Sequence, residues 1–424
     1  MLIAIFIVFL IALGLGFDVG LSMVIAAMLG MLLHPQGVDL VMVPLTMTSG
    51  VNTAALITIP LFVLAAELMN HGGLTQRLID WSLSMVGHAK GGLSQVAILS
   101  NLIMAGVSGS AVADASATGG LLIPAMRKEG YPDGQAGAVI AAGAMLGPII
   151  PPSIPMIVYA VLANESVLKL FLAGIIPGAL MALGYMGICY VQARRHGYPS
   201  RARSTWLQVL YATHSSLAAL AMPMIIILGM RYGLVTDIEA AAVAALYALF
   251  IGVVIYRAIG LRQLGRVFYL AARSAAAVLF LLAAAGPFGW LLAEAQINNA
   301  IATAILSLTT DPLFGLLLIN IVLLIVGTFL EPLPAMIIFL PSLVPVGMAL
   351  GIDPVHLGTV MVMNLMIGML TPPVGLLLFV VAGIGKIPLV GVIRAIVPFL
   401  LWSLAVLALV TLFPGLATWL PSLS

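Results

Sequence analysis

The sequence predicts an all-α polytopic membrane protein, and three observations predict it. Hydrophobic residues make up 63% of the 424 residues, charged residues only 7%, and the mean hydropathy is +1.23. A soluble domain carries about 25% charged residues, so most of this surface must face lipid. Long apolar stretches recur from end to end, whereas one transmembrane helix needs only about 20 residues. Segments of strictly alternating hydrophobicity, the mark of a membrane β-barrel, are absent from the sequence.

Taken in order, the apolar stretches run at 2–17, 19–33, 40–69, 93–107, 136–163, 168–192, 208–230, 238–256, 267–293, 312–330, 333–350, 357–384 and 391–420. Proline or glycine interrupts several of them, so roughly ten to twelve spans are expected together with re-entrant pieces. No Lys or Arg precedes Arg77. The first stretch therefore lacks the positive region of a cleaved signal peptide and is expected to stay as a span. The net charge of +2 contains no basic run that would suit nucleic acid. Cys189 is the single cysteine, which excludes an internal disulfide and a cysteine-based metal cluster.

Orientation follows from Lys and Arg in short loops. The loop at 193–206 holds Arg194, Arg195, Arg201 and Arg203, and the loop at 257–266 holds Arg257, Arg262 and Arg266. Two stretches separate these loops, so both can lie on the cytoplasmic side. Arg231 is set against Asp237 and Glu239 in the loop between, which suits the opposite side.

The chain also repeats itself. In the first half, SGS at 108–110 is followed by GPIIPPS at 147–153; in the second, GTFLEP at 327–332 is followed by GMLTPPVG at 368–375. The spacing is 39 residues from Ser108 to Gly147 and 41 from Gly327 to Gly368. Paired interruptions in corresponding positions mark transporters built from inverted repeats and point to their binding sites. The expected division is a first repeat over 1–200 and a second over 201–424. Each carries scaffold helices, one re-entrant helical hairpin (around 93–126 and 312–345) and one broken helix (around 136–163 and 357–384).

A Pro-Pro pair removes backbone donors and unwinds a helix, which is tolerated at membrane depth only where the backbone is buried in protein or lines a wet cavity. Both breaks should thus expose carbonyls, and Ser108, Ser110, Thr328 and Thr371 offer hydroxyls beside them. Carbonyl and hydroxyl oxygens suit a hard cation. The stretch AGVSGSAVADASATGG at 105–120 then reads as a hairpin whose polar tip turns at 108–114. A tight contact of small residues between membrane helices is the plainer reading of SGS alone; the second copy of the paired break favours a binding site. Gly106–Gly109 also has the G-x-S-G form of intramembrane serine proteases. Such a serine needs an adjacent base, and the six histidines sit almost entirely in loops or at segment ends. No H-E-x-x-H zinc motif is present. An enzyme is not expected, and a channel would need a continuous polar face that the spans lack.

Residues 105–159, together with PLFVLAAELMNHGGLTQRLID at 60–80, GTFLEPLPAMIIFLPSLVP at 327–345 and NLMIGMLTPPVGLLLFV at 364–380, resemble the large membrane subunit of tripartite ATP-independent periplasmic (TRAP) transporters. The resemblance covers nearly the whole chain. It implies an inverted-repeat elevator fold and sodium-coupled import of an organic acid across the bacterial inner membrane. It further implies two partners, a separate small membrane subunit of about four helices and a periplasmic substrate-binding protein. Carried over by motif, one sodium site would use Ser108, Ser110, Gly147, Ile150 and Pro152. The other would use Gly327, Thr328, Gly368 and Thr371, although Thr328-Phe329 departs from a strict copy of SGS. The family carries C4-dicarboxylates, sialic acids and other organic acids. A stand-alone sodium–dicarboxylate symporter of related fold is the alternative.

Among the charged residues, Asp114 is expected as the N-cap of the outgoing hairpin arm, or else beside the ion or substrate. Glu331, three residues past Thr328, has the same two options. Arg273 stands well inside its segment, where a charge is a functional candidate; it could meet a substrate carboxylate or pair with Glu67 or Glu294. Asp114, Arg273 and Ser153 are the candidate substrate residues.

Overall fold

The computed structural model describes residues 2–34, 37–294, 296, 303 and 307–424, and among them it contains helices and turns but no strand. The chain opens with α1 (Leu2–Gly14) and α2 (Val19–Leu32), the latter capped by Asp18, whose carboxylate accepts from Gly20 N–H at 3.1 Å. The apolar stretch 40–69 is not one span. Asn52 divides it into α3 (Met42–Val51), a 3₁₀ turn (Ala54–Ile57) and α4 (Thr58–His71). Next comes α5 (Leu74–Val86), a helix absent from the apolar stretches because only one face is apolar. It buries Leu74, Leu78, Ile79 and Ser82 and exposes Gln76 and Asp80, the pattern of a helix lying along an interface.

The first hairpin consists of α6 (Gly92–Ser108) and α7 (Ala111–Lys128). The first broken helix consists of α8 (Asp133–Ala144) and α9 (Ile154–Ala163), and α10 (Val167–His196), α11 (Trp206–Arg231) and α12 (Asp237–Phe250) follow. A single π turn (Ile251–Ile255) prolongs α12, and α13 (Leu261–Glu294) follows it. The second hairpin is α14 (Pro312–Phe329) with α15 (Pro332–Ala349), and the second broken helix is α16 (Pro354–Gly368) with α17 (Leu376–Gly385). The chain closes with α18 (Leu389–Leu412) and the short α19 (Gly415–Thr418).

Eight stretches among the described residues are helical, apolar and long enough to cross a membrane. Five of the apolar stretches fall short: α1, α2 and α6 have 13, 14 and 17 residues, and two more are broken. Stretches 136–163 and 357–384 each split into two helices of 10–15 residues, about 15–23 Å at 1.5 Å per residue. Neither half can cross a hydrocarbon core of about 30 Å.

The centre is built by exchange between the two hairpins and the two broken helices. α6 and α7 pack on α8, and α14 and α15 pack on α16, while α15 also reaches across to α9 and α7 to α17. Around this centre, α13 packs on α2, α3 and α4, α12 packs on α4, and α18 joins α8 to α10.

Basic residues gather at one end of the bundle. Arg201 pairs with Glu129 at 2.8 Å, and its N–H donates to Gly87 O at 3.2 Å. Arg127 bonds Asp133 at 2.5 Å and Gly385 O at 2.7 Å, and the Arg77 guanidinium lies 3.9 Å from the centre of the Tyr256 ring. The carboxylate of Asp133 holds the Arg127 guanidinium above its ordinary value.

Candidate functional site

Ser108 ends α6, and Gly109 follows in left-handed backbone at φ 59°, which glycine adopts without the clash a Cβ would bring. The tip is only two residues long. Ser110 already caps α7, its hydroxyl accepting from Ala113 N–H at 3.4 Å. Two expectations are corrected here: the tip does not extend to 114, and Asp114 is not the cap. A serine side chain at Ser110 is short enough to reach the third amide of the helix, and this leaves Asp114 in the first turn, facing inward.

Asp114 is fully buried. Its Oδ1 accepts from Ser108 Oγ at 2.5 Å, and Ser108 Oγ accepts from Ser110 N–H at 3.2 Å. Its Oδ2 is buried without a hydrogen-bond partner. A Cβ placed on Gly147 would stand 2.6 Å from that oxygen, so Oδ2 points at the backbone of the first break. In that break no backbone N–H of the described residues donates to the carbonyls of Gly147, Ile150, Pro151 and Pro152. The Pro152 carbonyl lies against the hairpin tip, 2.7 Å from where a Cβ on Gly109 would be. Ser108, Ser110, Asp114, Gly147 and Pro152 therefore converge, while Ile150 turns its side chain toward Gly178 of α10.

The second copy is built differently. A Cβ on Gly368 would fall 2.4 Å from the carbonyl carbon of Gly327, so the backbones of α14 and α16 touch there. Thr328 Oγ1 donates to Ile325 O at 2.7 Å, and Thr371 Oγ1 donates to Ile367 O at 2.8 Å. Thr371 N–H donates to Gly368 O at 2.9 Å. Glu331 occupies the N-cap position of α15 but makes no capping bond through its side chain. Both breaks contain a cis Pro-Pro peptide, Pro151-Pro152 and Pro372-Pro373.

The two copies meet around one cavity of about 70 Å³. Gly109, Ser110, Pro148 and Ile154 line it from the first half, and Glu331, Pro332, Met366 and Met369 from the second. The first turns of α7, α9 and α15 all border it, bringing the positive ends of three helix dipoles together.

A family model described as the DctM component of tripartite ATP-independent periplasmic transporters matches residues 5–416. The chain belongs to this family. It is 39% identical over 408 residues to the sialic acid TRAP transporter large permease of Vibrio cholerae, covering 96% of this chain and 95% of that one. It is 39% identical over 371 residues to the 2,3-diketo-L-gulonate TRAP transporter large permease of Escherichia coli, covering 88% and 87%. Against the C4-dicarboxylate TRAP transporter large permease of Pseudomonas aeruginosa it is 38% identical over 392 residues, covering 92% and 91%. Its fold is shared with the Alcanivorax borkumensis YdaH transporter, at TM-score 0.64 and 16% identity over 91% of this chain and 90% of that one. Neisseria gonorrhoeae MtrF shares it too, at TM-score 0.60 and 13% identity over 90% and 85%. The TRAP permease is thus a multi-pass inner-membrane transporter subunit and not an enzyme.

Two of the residues expected to face substrate do not line this cavity. Ser153 is buried and absent from the cavity wall. Its hydroxyl donates to Pro148 O and accepts from Met156 N–H at 3.2 Å, so it closes the first break and caps α9. Arg273 is exposed on α13 and does not line the cavity. Glu67, one of its two expected partners beside Glu294, lies 3.5 Å from His71 instead; a guanidinium on an outer helix face is served by solvent or headgroups.

Four buried polar residues were not singled out by the motifs. Asn101 lies seven residues before Ser108, and Asn320 seven before Gly327. Asn101 Oδ1 accepts from Thr118 Oγ1 at 3.2 Å, tying the two arms of the first hairpin. Asn364 Nδ2 donates to Asn320 Oδ1 at 2.7 Å, tying α14 to α16. The available signal was an asparagine inside an apolar helix, which is costly unless paired.

Proposed function

We propose that the permease couples import of a carboxylate-bearing organic acid to sodium, working with a small membrane subunit and a periplasmic binding protein. One observation carries the reading: Asp114 Oδ2, buried and unpartnered, points at Gly147 between the hairpin tip and the first break. A carboxylate oxygen held there is unfavourable unless something positive offsets it. The donors around it are all oxygen, which suits a hard cation. Among the described residues no cluster of three His, Cys, Asp or Glu offers a transition-metal site instead.

A bound sodium ion would supply positive charge to Asp114 Oδ2 and to the carbonyls of the first break. The chain does the rest. Ser108 fixes the Asp114 carboxylate through its hydroxyl, Ser110 anchors the start of α7, and Gly147 leaves room for Oδ2. Gly327, Thr328, Gly368 and Thr371 would form a second, weaker site from dipoles alone. The three helix starts at the shared cavity favour an anionic group on the substrate. The names of the relatives, with sialic acid, a sugar acid and C4-dicarboxylates among them, support an organic acid. The basic end of the bundle, where Arg127, Arg201 and the loops at 193–206 and 257–266 lie, is the cytoplasmic end by the positive-inside rule.

Reconstitution tests the reading. Proteoliposomes holding the permease and its small subunit should take up organic acid only with a sodium gradient and a loaded binding protein. Uptake at full rate in sodium-free medium, or by the permease alone, would overturn it.

A further inference from the structure

A furrow runs along the outside of the bundle between α11 and α12, away from the cavity of the hairpins. Its upper part encloses about 840 Å³ and is bordered by Arg77, Tyr211, His214, Tyr256, Phe250 and Ile255. Its lower part encloses about 420 Å³ and is walled by Met224, Ile225, Leu228 and Val243. Ala221 lines both parts, so the two adjoin at one small residue, the waist of the furrow. The π turn Ile251–Ile255 forms one side of the upper part, and such turns are frequent at functional sites.

The chemistry of the furrow is graded. Arg77 is the one residue of fixed charge among those lining either part. Its guanidinium lies 3.9 Å from the centre of the Tyr256 ring and is paired with no carboxylate among the described residues. Two of the three tyrosines lining the upper part bond to α11: Tyr256 OH donates to Ser215 O at 2.7 Å and Tyr247 OH to Ala218 O at 2.9 Å. Below the waist the wall is apolar except for Tyr232. A single half-buried cation sits at the basic end of the bundle, and a hydrocarbon-lined groove leads from it toward the other end.

We propose that this furrow binds an anionic phospholipid, with its phosphate on Arg77 and an acyl chain laid past Ala221 into the lower part. The charge complementarity decides the occupant. Basic pockets between membrane helices on the cytoplasmic side suit anionic headgroups, and a guanidinium presents a donor fork that matches a phosphate. The lipid would brace α5, which carries Arg77, against α11 and α12 of the outer scaffold.

Native mass spectrometry of the purified chain in mild detergent tests this, titrated with phosphatidylglycerol or with phosphatidylethanolamine of the same acyl chains. Phosphatidylglycerol should be retained preferentially. Arg77→Gln should weaken its binding about tenfold, a loss of roughly 1.4 kcal/mol, and bring it to the level of phosphatidylethanolamine. Ala221→Phe leaves Arg77 in place but fills the waist, and it should weaken both lipids. Equal retention of the two lipids by the wild-type chain, or unchanged binding in Arg77→Gln, overturns the assignment. So does competition by soluble glycerol phosphate at the lipid's own concentration, which would make the furrow a site for a free anion. Displacement of phosphatidylglycerol by added small membrane subunit would make it a subunit interface and would also overturn the lipid.

Discussion

The first break is sealed and faces a carboxyl group, whereas the second is open and faces only hydroxyls. Pro151, Pro152 and Ser153 are buried, but Pro372 and Pro373 are exposed. Facing the first break is a carboxylate with a free oxygen; facing the second are two threonine hydroxyls already donating to their own helices. The glycines differ in the same sense. Gly147 makes room for a side chain of the site, and Gly368 makes room for the backbone of Gly327. Two copies of one sequence pattern have thus been put to different physical uses. In the first, a carboxyl group faces a closed break; in the second, only dipoles are available beside an exposed proline pair.

The strongest way to break this comparison is to remove the charge. Asp114→Asn keeps the shape of the side chain but deletes the anion. Losing one partner of a buried pair costs about 3–5 kcal/mol, roughly a hundredfold to a few thousandfold in affinity at 1.4 kcal/mol per tenfold. Uptake at ordinary sodium concentration should therefore vanish while the protein still inserts. Glu331→Gln, at the exposed lip of the cavity, should leave the sodium titration in place and alter the half-saturating substrate concentration instead. Sodium titrations of uptake for both variants check this. Equal shifts in the two would mean that Asp114 has no special place.

The glycines sharpen it further. In Gly147→Ala the new methyl meets Asp114 Oδ2, and in Gly368→Ala it meets the backbone of Gly327. Overpacking against backbone costs about 1–3 kcal/mol. Gly368→Ala should lower the thermal midpoint and the yield, with an unshifted sodium curve in the surviving protein. Gly147→Ala should do the reverse, folding well but needing much more sodium. Thermal unfolding in detergent beside the uptake titration separates the two outcomes.

Much of this was legible in the sequence. The composition alone gave a polytopic helical membrane protein, and the two Pro-Pro breaks and the hydroxyl-rich tip lie in irregular backbone where proline and glycine forced it. Helices read poorly wherever the burden was carried by packing. α5 escaped notice because half of it is polar, and the stretch 40–69 looked continuous because Thr46, Thr48, Ser49, Asn52 and Thr53 are small uncharged residues that leave the run apolar on average. In the candidate site, residue type was readable but direction was not. Asp114 looked like a cap from its spacing, yet Ser110 takes that bond and turns Asp114 inward. Ser153 and Arg273 stand outside the cavity wall for the same reason. A hydroxyl beside a break is as easily spent closing the break, and an arginine deep in a span can sit on its outer face.

The smallest expected effect tests whether the two hydroxyl sets are equivalent. Ser108 Oγ makes a charge-assisted bond to Asp114 and also receives Ser110 N–H. Hydrogen bonds to charged groups contribute about 1.5–3 kcal/mol, so Ser108→Ala should raise the half-saturating sodium concentration by about tenfold to a hundredfold. Thr371 Oγ1 donates to Ile367 O, which leaves its lone pairs for an ion, but it is a neutral ligand beside an exposed proline pair and makes no bond to a carboxylate. Thr371→Val is close in shape and removes that weak donor alone. It should shift the sodium curve by about threefold or less, within 1 kcal/mol or so. The Ser108/Thr371 double variant then matters most. If the two regions hold separate ions, the free-energy shifts should add to within about 0.5 kcal/mol, as they do for sites without shared partners. A shift in Thr371→Val as large as that in Ser108→Ala would show that the open, neutral break binds as firmly as the sealed one, and the contrast between them would not govern sodium.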